Sequence, residues 1–141
     1  MPIIGMNFKF LEAQRKDTQV KGEIKINSFP KITNVKEAKV SNMKSNAVAL
    51  EFEFSTDYEP DVGKIKLMGE LLYQTDKQKE ILDKWKKEKK ISEDLGVEVL
   101  NHLFRRCLLK SAHLSEEVML PPPLQMPRIK PKEKQEHSYI G

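Results

Sequence analysis

Cysteine occurs once, at Cys107, so the chain has no internal disulfide available. Histidine is nearly as scarce. His102 and His113 stand eleven residues apart, about 16 Å along a helix, which is too far to share a metal. Cys107 lies five residues from His102, on a different helix face, so no Cys/His zinc spacing exists. His137 lies apart from both, near the end of the chain. The six glycines, at 5, 22, 63, 69, 96 and 141, are scattered and form no phosphate-cradling loop. No nucleophile elbow is present, and a lone cysteine in an apolar helix pattern reads as a small buried hydrophobe. Glu51 and Glu53 share one strand face, but alternation on a half-exposed strand explains them without a carboxylate pair. These absences exclude most enzymatic chemistry, and no cofactor or metal is expected.

Long hydrophobic runs are missing too. No window approaches the roughly 18 uninterrupted apolar residues of a membrane span, and the start, Met1-Pro2-Ile3-Ile4-Gly5-Met6, lacks the basic and apolar regions of a signal peptide. A cytoplasmic protein without membrane insertion is expected. What is present is charge: 33% of residues are charged against 38% apolar, enough for one modest core under a polar surface. The net charge of +4 is unevenly placed. Residues 77–90 carry seven lysines against Glu80, Asp83 and Glu88, and the tail from Leu124 carries Arg128, Lys130, Lys132 and Lys134 against Glu133 and Glu136. The rest of the chain is therefore slightly acidic. A single α+β domain over 1–127 and a basic polar tail over 128–141, expected to be flexible, fit this division.

The first half reads as strands. Met6, Phe8 and Phe10 alternate with polar residues, as do Val20, Ile24 and Ile26, and period two with one apolar parity predicts strands with one buried face. Val48, Leu50, Phe52 and Phe54 give the clearest case, followed by Ile65, Leu67, Gly69, Leu71 and Tyr73. The turn-forming stretch 56–63 between them predicts an antiparallel hairpin with a longer loop. Asn27-Ser28-Phe29-Pro30 is read as the end of the second strand, because proline removes a ladder donor. Ile32, Val35 and Val40 then fit either another strand or an irregular edge. Four antiparallel strands are the best count.

The second half is helical. Thr75 and Gln78 fit a capping box ahead of a short lysine-rich helix with Ile81, Leu82 and Trp85 on one face. Ser92 is a good N-cap for a second helix, with Glu93 and Asp94 suited to its positive end. Val97, Leu100, Leu103, Phe104, Cys107, Leu108, Ala112 and Leu114 repeat at three and four, a wide amphipathic stripe. From Glu93 to about Met119 this helix measures about 40 Å, more than the width of four strands at about 4.8 Å spacing. Its excess apolar surface predicts self-association, with Leu100, Leu103, Phe104 and Leu108 as the subunit contact. Leu120-Pro121-Pro122-Pro123 then forces the chain into an extended segment.

The apolar helix segment 99–107, ending in Arg105, Arg106 and Cys107 at the middle of the long helix, and the Leu120-Pro121-Pro122 exit together resemble the SecB protein-export chaperone family. The order of strands, long helix and proline segment is similar over perhaps 110 residues. The resemblance implies a sheet-and-helix protomer, assembly into dimers or tetramers, and apolar grooves that hold unfolded polypeptides. The polar, basic tail, the lysine-rich helix and the lack of an acidic surface depart from the family. Leu71, Tyr73, Trp85, Leu120, Leu124 and Met126 are the candidate contacts for a held polypeptide. Met43, Met68 and Met119 add adaptable apolar surface. The alternative is a basic RNA- or ribosome-associated module using Lys84, Lys86, Lys87, Arg128 and Lys130. The aromatic parity argues against the sheet as an RNA platform, because Phe8, Phe10, Phe52 and Phe54 are all expected to be buried.

Overall fold

The computed structural model describes residues 3–16, 22–39 and 46–124. Four strands come first, β1 (Ile3–Arg15), β2 (Lys25–Ala38), β3 (Ala47–Glu59) and β4 (Gly63–Gln74), and two helices follow, α1 (Gln78–Glu88) and α2 (Glu93–Glu117). The sheet is antiparallel throughout, in the order β1-β4-β3-β2. This is the α+β architecture that the patterning predicts.

The central pair carries the core. Val48, Leu50, Phe52, Phe54, Thr56 and Tyr58 of β3 point to one face and are at most 1% exposed; Ile65, Leu67 and Leu71 of β4 join them at 0%. Both helices cover that face. Pairing continues to Tyr58 opposite Gly63, so the hairpin loop is shorter than the 56–63 turn predicted, and Asp61 takes a left-handed φ of 52° within it.

The edge strands depart from the simple alternation. In β1 the register slips between Phe8 and Phe10, leaving Lys9 as an extra residue. Met6 and Phe8 face the core side, opposite Leu71 and Gly69, but Phe10 lies opposite Met68 on the outer face and is 42% exposed. The expectation that Phe10 is buried with Phe8 is thus corrected: a β-bulge puts two residues opposite one and reverses the parity beyond it. In β2, Pro30 does not end the strand. It sits opposite Phe54 in a ladder that runs from Lys25 to Ala38. Proline is tolerated because β2 is an edge strand, where one side of the backbone has no neighbour to bond. Of the residues assigned to the second strand, Ile24 precedes β2 and Val20 lies outside the described residues.

The capping box ahead of α1 does not form. Lys77 is the N-cap without a side-chain bond; the Thr75 hydroxyl accepts from the Lys77 N–H at 2.9 Å, and Gln78 Nε2 donates to the Ala47 carbonyl at 2.7 Å. Ser92 does cap α2, accepting from the Leu95 N–H at 3.3 Å.

Helix α2 lies lengthwise on the sheet, antiparallel to β4. The Tyr73 hydroxyl at the end of β4 donates to Glu98 near the helix start, Phe104 meets Phe54 at mid-length, and Leu120 abuts Gly63 at the start of β4. Strands of 12 to 14 residues reach about 40–46 Å at about 3.3 Å per residue. The 25 residues of α2 need about 37 Å, so the helix does not outrun the sheet. The width of the sheet across its strands is therefore no ground for self-association, because the helix runs along the strands.

Candidate functional site

The residues proposed to touch a held polypeptide occupy two ends of the molecule. Leu71 is fully buried in the core of β4, and Leu120 is only 5% exposed against Gly63. Neither offers surface to a partner, because the central strand and the chain reversal after α2 use both side chains internally. Tyr73 lines a cleft of about 350 Å³ between α1 and the start of α2, with Ile81, Ile91 and Leu95 beside it and Lys77, Lys84, Glu80 and Asp94 at the rim. Burial, then the Glu98 carboxylate, raises the Tyr73 phenol above its ordinary pKa. Trp85 is half-buried on the inner side of α1. Leu124 is half-buried at the opposite end, and Met126 lies outside the described residues. Ten residue steps of β4, 63 to 73, separate the two groups, about 33 Å.

The fold brings a different set together. The buried seam of α2 is Leu95, Val99, Leu103, Cys107, Ser111 and Ser115, spaced by four throughout. Such a row is inclined by about 26° to the helix axis, which lets a straight helix follow a twisted sheet. Leu103, expected at a subunit contact, is 0% exposed and belongs to this seam. On one flank Lys110 reaches the Phe8 ring of β1. The other flank is the apolar row Leu100, Phe104 and Leu108, half-buried, with Phe104 edge-on to Phe54 at 5.6 Å. That flank faces β2, whose helix-side residues Ile26, Pro30 and Ile32 are also half-buried.

Together Ile26, Pro30 and Ile32 of β2 and Leu100, Phe104 and Leu108 of α2 make up a half-buried apolar strip toward the β2 edge of the helix-covered sheet face. From Ile26 to Ile32 it spans about 20 Å, the length of a six-residue extended segment. The bulge between Ile32 and Asn34 and the proline disfavour strand addition at this edge, so the strip offers side-chain burial rather than backbone pairing. Residues 26–32 were missed from the sequence because Pro30 was read as a strand end; the alternation of 26, 30 and 32 across it was the available signal.

The opposite sheet face is charged and internally paired. Lys36 meets Glu51 at 3.1 Å and Glu70 at 3.8 Å, Lys9 meets Glu70 at 3.0 Å, and Lys66 meets Glu53 at 3.3 Å. The hydrogen bond to Lys36 holds the Glu51 carboxyl below its usual range. Burial pushes the Cys107 thiol up to about 12, which removes it as a nucleophile. Among the described residues no group of three or more His, Cys, Asp or Glu side chains is placed to hold a metal, and no helix is long and apolar enough to cross a membrane. Of the alternative nucleic-acid contacts, Lys84, Lys86 and Lys87 are exposed on α1, and Arg128 and Lys130 lie outside the described residues.

No family model and no curated protein matches the sequence. Among solved structures, the chain is similar to the Mycobacterium tuberculosis SecB-like chaperone Rv1957, in complex with a ChAD peptide from the Rv1956 HigA1 antitoxin. The TM-score is 0.56 over 92% of this chain and 90% of that one. The fold is SecB-like. Sequence identity is 11%, so the likeness extends to the fold alone.

Proposed function

We propose that this protein is a non-catalytic polypeptide-binding chaperone that holds unfolded or pre-export chains in the cytoplasm, working as a homo-oligomer, a dimer or tetramer. The observation that carries the reading is the apolar strip of Ile26, Pro30 and Ile32 beside Leu100, Phe104 and Leu108, six half-buried apolar side chains toward one edge of the helix-covered sheet face. Burial of apolar side chains is sequence-independent, as holding varied clients requires, and it needs no catalytic group. The SecB-like fold, seen with a bound peptide in the mycobacterial neighbour, supports the reading.

The test is suppression of aggregation of a chemically unfolded protein, together with binding of a labelled apolar hexapeptide. Ile26→Lys and Ile32→Lys place charge on the strip at half-buried positions of an edge strand. Each is expected to weaken peptide binding tenfold or more with an unchanged circular dichroism spectrum. Apolar binding is expected to hold or strengthen as sulfate is added. Undiminished holding by the doubly substituted protein would remove the strip from the mechanism, and no holding by the parent would remove the function.

A further inference from the structure

The C-terminal half of α1 and the turn after it present a second surface, independent of the apolar strip. Lys84, Lys86, Lys87, Lys89 and Lys90 fall within seven residues with Glu88 as the one acid among them. Among the described residues, Lys84, Lys86, Lys87 and Lys90 have no carboxylate within ion-pair distance; Lys9, Lys36 and Lys66 on the outer sheet face, and Lys16 just after β1, each have one, and Lys25, Lys31 and Lys64 have none. Lys89 adopts a left-handed φ of 55°, ends the helix, and holds its ammonium 5.7 Å from the centre of the Trp85 ring. The Trp85 indole N–H, buried beneath, has no acceptor among the described residues.

Cations at a helix C-terminus complement its dipole, but the effect is confined to the last turn and is worth about 0.3–1 kcal/mol per charge. One or two lysines would supply it. Like charges spaced by three residues, as in Lys84 with Lys87, repel one another, and although Glu80, Asp83 and Glu88 stand four residues from Lys84, Lys87 and Lys84 and offset part of this, residues 84–90 keep a net charge of +4. Water solvates these exposed ammonium groups, but so dense a cluster of one sign at one corner is complementary to a polyanionic partner. We infer that the corner formed by residues 84–90 is a docking surface for a short acidic segment of a partner polypeptide.

Its extent selects the partner. Residues 84 to 90 cover about 9–10 Å, the length of three extended residues. Glu80 and Asp83 lie on one side of the patch in sequence, Glu93 and Asp94 on the other. A nucleic-acid strand tracking through the patch would run its phosphates onto these carboxylates. A run of three or four Asp or Glu residues ends before it meets them. The aromatic ring at the base suits a short acidic run with one apolar neighbour.

The experiment uses the full chain and three labelled probes: a deca-glutamate peptide, a Gly/Ser peptide of equal length, and an oligouridylate. Binding to deca-glutamate is expected, weakening at least tenfold between about 50 and 300 mM salt, with no binding of the Gly/Ser peptide and weaker binding of the oligouridylate. Replacing Lys84, Lys86, Lys87 and Lys90 by Gln is expected to lower deca-glutamate affinity tenfold or more, while Lys31→Gln with Lys64→Gln, a charge change on the sheet, leaves it within twofold. Apolar hexapeptide binding is expected to survive the quadruple substitution, which separates this surface from the strip. Equal or tighter oligouridylate binding would assign the corner to nucleic acid and overturn the proposal, as would full deca-glutamate affinity in the quadruple variant.

Discussion

At Gly63 a β-carbon would lie 2.6 Å from the Gln14 carbonyl oxygen and 2.9 Å from Leu120 Cδ1, so the chain leaving α2 is seated on a backbone that only glycine provides. The Tyr58 hydroxyl donates to the Pro121 carbonyl at 2.6 Å, locking the same junction from β3. Gly63→Ala must part β1 from β4 or expel Leu120, and is expected to cost about 1–3 kcal/mol in urea unfolding. Tyr58→Phe removes one hydrogen bond whose acceptor residue is exposed, and is expected to cost about 0.5–1.5 kcal/mol. Equal stability of the Gly63→Ala protein would mean the junction is not seated there. His102 yields a pH prediction. Burial, then Arg106 and Arg105, lower its pKa from 6.5. The folded state then binds this proton less tightly than the unfolded chain. Stability from this group is present above about pH 6.5 and declines as pH falls through the unfolded value toward the folded one. His102→Gln is expected to lessen the drop in urea midpoint between pH 7.5 and 5; an unchanged drop would assign the loss to carboxylates such as Glu51.

On the scale of elements, α2 shows how one amphipathic stripe divides into rows with different duties. The seam residue Leu103 is 0% exposed and Leu109 is 61% exposed, although both are leucines in the same helix. Leu103→Ala is expected to cost about 2–5 kcal/mol and Leu109→Ala less than about 0.5 kcal/mol, read as shifts in denaturation midpoint. Similar costs at both positions would show that the outer face is covered by another subunit. The stripe itself was legible from sequence because helical period survives any docking angle, and β3 and β4 were legible because their alternation is unbroken. Which row faces inward was not, since it depends on the twist of the sheet beneath. Phe10 was misplaced because an extra residue at Lys9 leaves no mark in an apolar pattern. Pro30 was misread because its tolerance depends on β2 lying at an edge, a fact of topology. The candidate strip inherits that dependence: Ile26, Pro30 and Ile32 are partly open because β2 is outermost, and no local pattern states the strand order.

For the whole molecule, the order β1-β4-β3-β2 leaves two outer edges, and they are protected unequally. β2 carries Pro30, the bulge before Asn34 and Lys25, Lys31 and Lys36 along its length, the devices that discourage strand-to-strand association. β1 has register shifts between Ile3 and Gly5 and at Lys9, but beside the second of these, two adjacent apolar side chains, Phe10 and Leu11, are 42% and 45% exposed, where β2 exposes Phe29, at 54%. With the helix no longer than its sheet, and Leu103 used in the core, the β1 edge is the stronger physical ground for the proposed self-association. Two copies meeting through β1 would add backbone bonds and cover both residues on each side, an isologous contact that closes as a dimer. Light scattering of the full chain is expected to give at least twice the 16.4 kDa chain mass, falling to the monomer when Phe10→Lys and Leu11→Lys are combined, with the sheet signal retained. An oligomer that survives this pair of substitutions would place the contact on the row of Leu100, Phe104 and Leu108 instead, where it would compete with a held peptide for the same surface. A monomeric parent would leave each strip to act alone and would remove the oligomer from the proposed function.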